Sequence, residues 1–290
     1  MMRYPVFSII VLIHLSAFVI PTFAKSKPVS AVTSPSPHLH PQISTTITTT
    51  TTDTITRMHV LIVGATGRNG ALALAEALSR GHSVTALVRN PSATSPQPKL
   101  TLVAGTPLSR PDVVTAMQTP RAPDAVVVAL NPRRLSDSPF AAVDPDTPAN
   151  LIRDSVANIM STMKASSSSS SSTTGGTRKL VINSMQGSGA SHGSLNLPFR
   201  TLFRHTNMKH TVDEHNAVDA LIAQEGRDVD WVLVRPPILK DGDSLPVKVF
   251  PESGKGVSWV PSITRKSVAV FMIDAAEKPD WNQTAPVVVN

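Results

Sequence analysis

One stretch constrains this chain more than any other. His59-Val-Leu-Ile-Val63 runs directly into Gly64-Ala-Thr-Gly67-Arg-Asn-Gly70, and an alanine- and leucine-rich helical pattern continues over 70–80. Four consecutive large apolar residues without alternation make a strand buried on both faces, which belongs in a parallel sheet covered by helices on either side. The glycines recur at a spacing of three, between that strand and that helix. The first permits a tight reversal, the second lets backbone amides come close to an anion, and the third lets helix pack closely on strand, while the helix N-terminus adds its partial positive charge. In this context the turn reads as a pyrophosphate cradle of a dinucleotide-binding sheet. It nominates Gly64, Thr66, Gly67, Arg68, Asn69 and Gly70 as cofactor-binding residues.

The rest of the chain alternates in the same way. Strands are expected at 83–88, 100–103, 125–130, 179–183 and 230–234, with helices at 110–118, 148–164 and 212–224 between them. After Pro237 come glycine-rich loops, a helix over 265–276 and a final strand over 286–289, a tail expected to line the substrate side. The strands are rich in Val, Leu and Ile. Right-handed crossovers then give an α/β fold, a doubly wound, mostly parallel Rossmann sheet with helices on both faces, spanning 58–290. Residues 165–178, mostly Ser, Thr and Gly, read as a disordered solvated insert in that domain.

Ahead of this domain, residues 1–24 carry one arginine, an apolar run over 6–20 and a small residue at the end, the pattern of a secretory signal peptide. The run is short for a membrane span and has His14 in its middle, so no stable transmembrane anchor is expected. The expected localisation is the secretory pathway or the extracellular space. Two alternatives stay open: an organellar address, since 1–52 lack acidic residues and are rich in Ser and Thr, and a cytoplasmic product starting at Met58. Residues 25–57, dominated by Ser, Thr and Pro, form a disordered linker. The sequon Asn282-Gln283-Thr284 is compatible with secretion.

The net charge of +7 invites a nucleic-acid reading, yet three of those charges fall before Met58, aromatics make up only 4% of the chain, and the basic residues form no continuous stripe. Neither a stacking platform nor a phosphate-tracking groove is indicated, so the expected partner is a small molecule. The absence of cysteine removes disulfides, thiolate metal sites and a thiol nucleophile. No P-loop, zinc-protease helix or serine nucleophile elbow is present, and no metal site is expected.

Roughly twenty residues past the first glycine, an NAD-specific site carries an acidic residue for the ribose hydroxyls. This chain has Val88-Arg89-Asn90-Pro91 instead. A guanidinium there pairs with a 2′-phosphate and stacks on adenine, with Arg68 in reach to assist, so NADP(H) is favoured over NAD(H). A second omission concerns chemistry. The one tyrosine of the chain is Tyr4, in the leader, so a Tyr-x-x-x-Lys proton relay is unavailable to the domain.

Taken in order, Gly64-Ala-Thr-Gly-x-x-Gly70, Val88-Arg-Asn-Pro91, Leu180-Val-Ile-Asn-Ser184 and Asp230-Trp-Val-Leu-Val-Arg-Pro-Pro237 resemble the NAD(P)H-binding atypical short-chain dehydrogenases, the group of the biliverdin-IXβ/flavin reductases and the NmrA-like proteins. The resemblance runs from about Met58 to the C-terminus. It implies that Ser184 faces the nicotinamide, that Arg235-Pro236-Pro237 forms the turn beside the nicotinamide amide with Pro236 as a cofactor contact, and that Asn131 to Arg134 lie near the nicotinamide ribose, the two arginines facing an acidic substrate. Where relatives carry Lys four residues before an acid, this chain offers His215 before Asp219, an imidazole expected to titrate near neutrality and act as the acid. His192, His205 and His210 precede it in a segment expected to be irregular. Gly105-Thr106-Pro107 departs from the Gly-Asp of relatives, which leaves the adenine contacts there unassigned. The expected function is an NADPH-dependent reductase of a small carbonyl, quinone, flavin or tetrapyrrole-like substrate, with Ser184 and His215 delivering the proton; the alternative is a non-catalytic NADP(H)-binding redox sensor.

Overall fold

The computed structural model describes residues 57–290 apart from 137, 139 and 170–178. The expected leader and nearly all of the linker lie outside the described residues. Six strands make the central sheet: β1 (His59–Val63), β2 (Ser83–Val88), β3 (Leu100–Ala104), β4 (Ala125–Val128), β5 (Lys179–Asn183) and β6 (Asp230–Val234). They lie in the order β3-β2-β1-β4-β5-β6, and every pairing is parallel.

The strict alternation of a strand sorts its side chains between two cores. Val60, Ile62, Val84, Ala86, Val127 and Val181 face one side, where α1 (Arg68–Ser79) and α6 (Arg265–Glu277) cover them with Ala73, Leu74, Phe271 and Met272. Leu61, Val63, Leu87, Val126, Val128 and Ile182 face the other, under α2 (Arg110–Gln118), α3 (Leu151–Ser169) and α5 (Met208–Glu225). Both faces are buried, as near-continuous Val and Ile strands require, and the fold is the doubly wound α/β sheet with helices on both faces.

Three departures from the sequence reading have local causes. α3 continues to Ser169, so the expected insert begins as helix. The hydroxyl of Ser166 donates to the Thr162 carbonyl at 2.9 Å, a bond to the preceding turn that lets serine sit in a helix. The segment before residue 212, expected to be irregular, contains α4 (Leu197–His205), and α5 starts at Met208 rather than 212. The tail is more folded than loops: β7 (Ile238–Lys240) pairs with β9 (Ser262–Thr264), and β8 (Lys248–Phe250) with β10 (Val287–Val289). The C-terminal strand therefore joins a separate ribbon. Its approach still runs beside β6, with the Leu233 amide donating to the Thr284 carbonyl and that of Arg235 to Pro286, both at 3.0 Å.

Candidate functional site

In this sheet the chain leaves β1 toward β2 and β3, then returns to β4 on the opposite side of β1. That reversal opens a crevice beyond the carboxyl ends of β1 and β4, the place where doubly wound sheets take ligands. A cleft of about 1080 Å³ lies there.

Its floor is the glycine turn. Gly64 adopts φ +89°, a left-handed conformation that suits glycine, and a Cβ on it would come within 2.6 Å of the Ala129 carbonyl just past β4. A Cβ on Gly70 would sit 2.0 Å from the Gly64 carbonyl, so that residue lets α1 press on the turn and does not itself line the cleft. Gly67 is the N-cap of α1 and has no side chain to cap the first turn, which holds no acidic residue either. Amides at a helix N-terminus, beside open space, form a cradle for a pyrophosphate. Thr66, Arg68 and Asn69 line the same wall.

At one end of the cleft stand Arg89, exposed just past β2, and the loop Gly105 to Leu108. This is the adenine side of such a sheet. The Thr106 amide is held by the Asp112 carboxylate at 2.9 Å, so the backbone of the departing Gly105-Thr106-Pro107 segment is fixed from α2.

In the middle, β5 and β6 end together. The pairing of Asn183 with Val234 continues one residue on, where the Ser184 amide donates to the Val234 carbonyl at 2.7 Å, and the Gln186 amide donates to Pro236 at 2.9 Å. Ser184 and Pro236 are thereby set side by side on the cleft wall, across from Asn131 after β4. The Ser184 hydroxyl, almost wholly buried, lies 3.2 Å from that of Ser188, which donates to the Met185 carbonyl.

The other end opens into a chamber that sequence reasoning missed. Phe199, Leu202 and Phe203 of α4, with Met208, Leu195 and Trp259, form its walls. No residue of α4 is fully buried, because its apolar side turns to the cleft rather than to the core. The signal was present: Asn196 accepts from the Phe199 amide at 3.0 Å as N-cap and Pro198 follows in the first turn, a helix start that precedes an apolar spacing. Arg133 and Arg134 line the cleft as well, Arg134 donating to the Ser138 carbonyl and the Met208 sulfur, both at 3.0 Å.

Two expectations need correction. His215 does line the cleft, but it is buried in α5, and that burial, helped by the positive charge of Arg235, pushes its imidazole down to about 4. At neutral pH the ring is uncharged and holds no transferable extra proton, contrary to an acid titrating near neutrality. Arg235 is also absent from the cleft. Fully buried, its guanidinium turns back to the carboxylates of Asp219 and Glu252, so the acid at 219 holds this arginine rather than assisting His215. Burial holds the Asp219 carboxyl above its usual range despite that cation. His192, His205 and His210 do not line the cleft. Among the described residues there is no cluster of metal-ligating side chains, and no helix is long and apolar enough to cross a membrane.

A family model described as NAD(P)H-binding matches residues 64–279. No curated protein matches the chain. Among solved structures, ChuY, an anaerobilin reductase from Escherichia coli O157:H7, superposes with a TM-score of 0.58 at 16% identity, over 80% of this chain and 96% of that one. The oxidoreductase YlbE from Lactococcus lactis reaches 0.59 at 13% identity over 80% and 91%. A short-chain dehydrogenase/reductase from Veillonella parvula gives 0.59 at 14%, over 81% and 95%. The family match spans both the glycine turn and the wall built by β5 and β6, so the chain belongs to the NAD(P)H-binding family.

Proposed function

We propose that this protein is an NADPH-dependent reductase of a small carbonyl, quinone, flavin or tetrapyrrole-like substrate, working without a tyrosine. One observation carries the reading: a single cleft connects the glycine turn at the N-terminus of α1, Ser184 and an aromatic-walled chamber. The amides of the Gly64–Gly70 turn hold the pyrophosphate, Arg89 with Arg68 takes the 2′-phosphate, Asn131 the ribose, and Pro236 packs by the nicotinamide. NADP(H), when bound, supplies a hydride. Phe199, Phe203 and Trp259 present flat apolar surfaces suited to a planar conjugated substrate, and the chamber keeps its reacting atom out of bulk water. Ser184, 3.2 Å from Ser188, releases that contact and turns its one hydroxyl proton to the accepting group as charge develops there. A planar acceptor of this kind needs little acid assistance, which suits a site whose imidazole is neutral. That a solved structure of the same fold is an anaerobilin reductase supports reduction as the chemistry.

The second reading, a non-catalytic NADP(H) sensor, draws on the same neutral imidazole and the absence of tyrosine from the domain. Purified protein is assayed for loss of reduced nicotinamide absorbance with quinone, flavin and linear tetrapyrrole acceptors. Turnover is expected on at least one of them, and Gly67→Asp, which places a carboxylate in the anion cradle, is expected to weaken NADPH binding by about 10- to 100-fold. Tight nucleotide binding with no turnover on any acceptor sinks the reductase and leaves the sensor.

A further inference from the structure

Beside the cleft the fold leaves apolar side chains in solvent: Trp259 lines it, and Leu135, Leu197 and Val260 each adjoin a residue that does. Leu135, Phe140, Leu197, Trp259 and Val260 are between 58% and 74% exposed, and these are most of the exposed large hydrophobic residues among those described. Two hydrogen bonds place them around one helix. The Asn196 carboxamide, at the start of α4, donates to the Trp259 carbonyl at 2.7 Å, and that of Asn207, just past its end, donates to the Phe140 carbonyl at 3.0 Å. Trp259 and Leu197 thus stand at one end of α4 and Phe140 at the other.

The helix itself has two unlike sides. Phe199, Leu202 and Phe203 are half-buried toward the cleft, whereas Leu197, Arg200, Thr201 and Arg204 are exposed on the outer side, as positions three, four and seven apart share a face. Its charge is of one sign. The sequence contains no Asp or Glu between Asp154 and Asp213, and neither Arg200 nor Arg204 forms an ion pair with an acidic residue among the described residues; the Arg200 guanidinium donates to the neutral carbonyls of Leu195 and Gly193, which leave its charge uncompensated. Exposed aromatic and aliphatic side chains set among uncompensated arginines match the chemistry of an anionic bilayer surface, where tryptophan and phenylalanine enter the headgroup boundary and guanidinium groups meet phosphates.

We infer that this rim is a docking surface for an anionic lipid bilayer, which it meets with the open end of the cleft facing the membrane. An apolar ligand can then pass between acyl chains and the aromatic chamber without crossing water. The inference stands on the rim and its charge, independently of whether the site reduces anything.

The test uses the full-length chain, co-sedimented with vesicles of phosphatidylcholine alone or with equimolar phosphatidylglycerol. Because residues 6–20 are themselves apolar, the decisive comparison is between variants of the same full-length protein. Binding to the anionic vesicles is expected to exceed binding to neutral ones by at least about tenfold and to fall with rising salt. Arg200→Glu with Arg204→Glu removes that preference, the milder Arg200→Gln with Arg204→Gln reduces it, and Phe140→Ser with Trp259→Ser weakens binding about tenfold. All these positions are exposed, so unchanged thermal unfolding certifies the variants. Equal binding to both compositions, binding indifferent to either pair, or no binding by the unmodified chain overturns the inference. So does a dimer, seen without lipid, that the Phe140 and Trp259 changes dissolve, since a second copy then covers this face.

Discussion

Arg89 stands exposed just past the end of β2 and lines the cleft, where an NAD-selective site places a carboxylate. A guanidinium bound to a phosphate in charge-assisted fashion is worth about 1.5–3 kcal/mol. Arg89→Ala should therefore weaken NADPH about 10- to 100-fold and leave NADH within roughly twofold, measured by fluorescence titration of both nucleotides. Equal losses would refute the 2′-phosphate assignment. His215 teaches the opposite lesson, for its identity suggested an acid and its surroundings made it neutral. With an ordinary value of 6.5 and a folded value of about 4, the unfolded chain takes up the proton first as pH falls. Its contribution to stability is therefore complete above 6.5 and is lost as pH drops toward 4, a change on the order of 3 kcal/mol. Buried His59, also held low by burial, acts in the same direction, so the measurement is a difference. Denaturant unfolding between pH 7 and 5 should show the unmodified protein losing more stability than His215→Gln. Parallel losses would mean that His215 is protonated in the fold. The glycines of the turn, Arg89 and Ser184 were legible because their effect follows from position on a strand end; the pKa of His215 and the inward turn of Arg235 were not, because each depends on which side chains other elements press against it.

Between elements, the N-terminus of α3 shows how such pressing works. Its Ile152 amide donates at 2.9 Å to the carboxylate of Glu214, a buried residue of α5. A helix start normally finds its cap within its own sequence, but here the cap comes from a helix 62 residues away in sequence. An anion at that end also meets the positive end of the helix. Glu214→Ala should cost about 2 kcal/mol and lower the midpoint of thermal unfolding by roughly 4–8 °C, read by circular dichroism. A loss no greater than that of an exposed control such as Asp213→Ala would rule out the long-range cap. α4 was legible in principle from Asn196 and Pro198, yet no periodicity says whether an apolar stripe faces a core or a cavity. Only the packing of α4 beside α5 turns its phenylalanines to the cleft.

Across the whole molecule, strand order decides where chemistry is possible. Because β1 lies between β2 and β4, the glycine turn, Asn131 and Ser184 line one crevice although they are spread over more than a hundred positions of sequence. The tail, through Ile238 and Leu239 of β7 and through Trp259, lines the same cleft. By itself the sequence determined the α/β class, the parallel sheet, the phosphate turn and the residues at the strand ends, because apolar runs, glycine spacing and strand termini are local properties that steric and solvation rules act on directly. The tertiary structure alone decided that α4 walls a chamber and bears a basic outer face, that Glu214 caps a distant helix, and that His215 is neutral while Arg235 is bound by Asp219. Those outcomes depend on desolvation and on charges brought together from remote segments, and both exist only once the chain has packed.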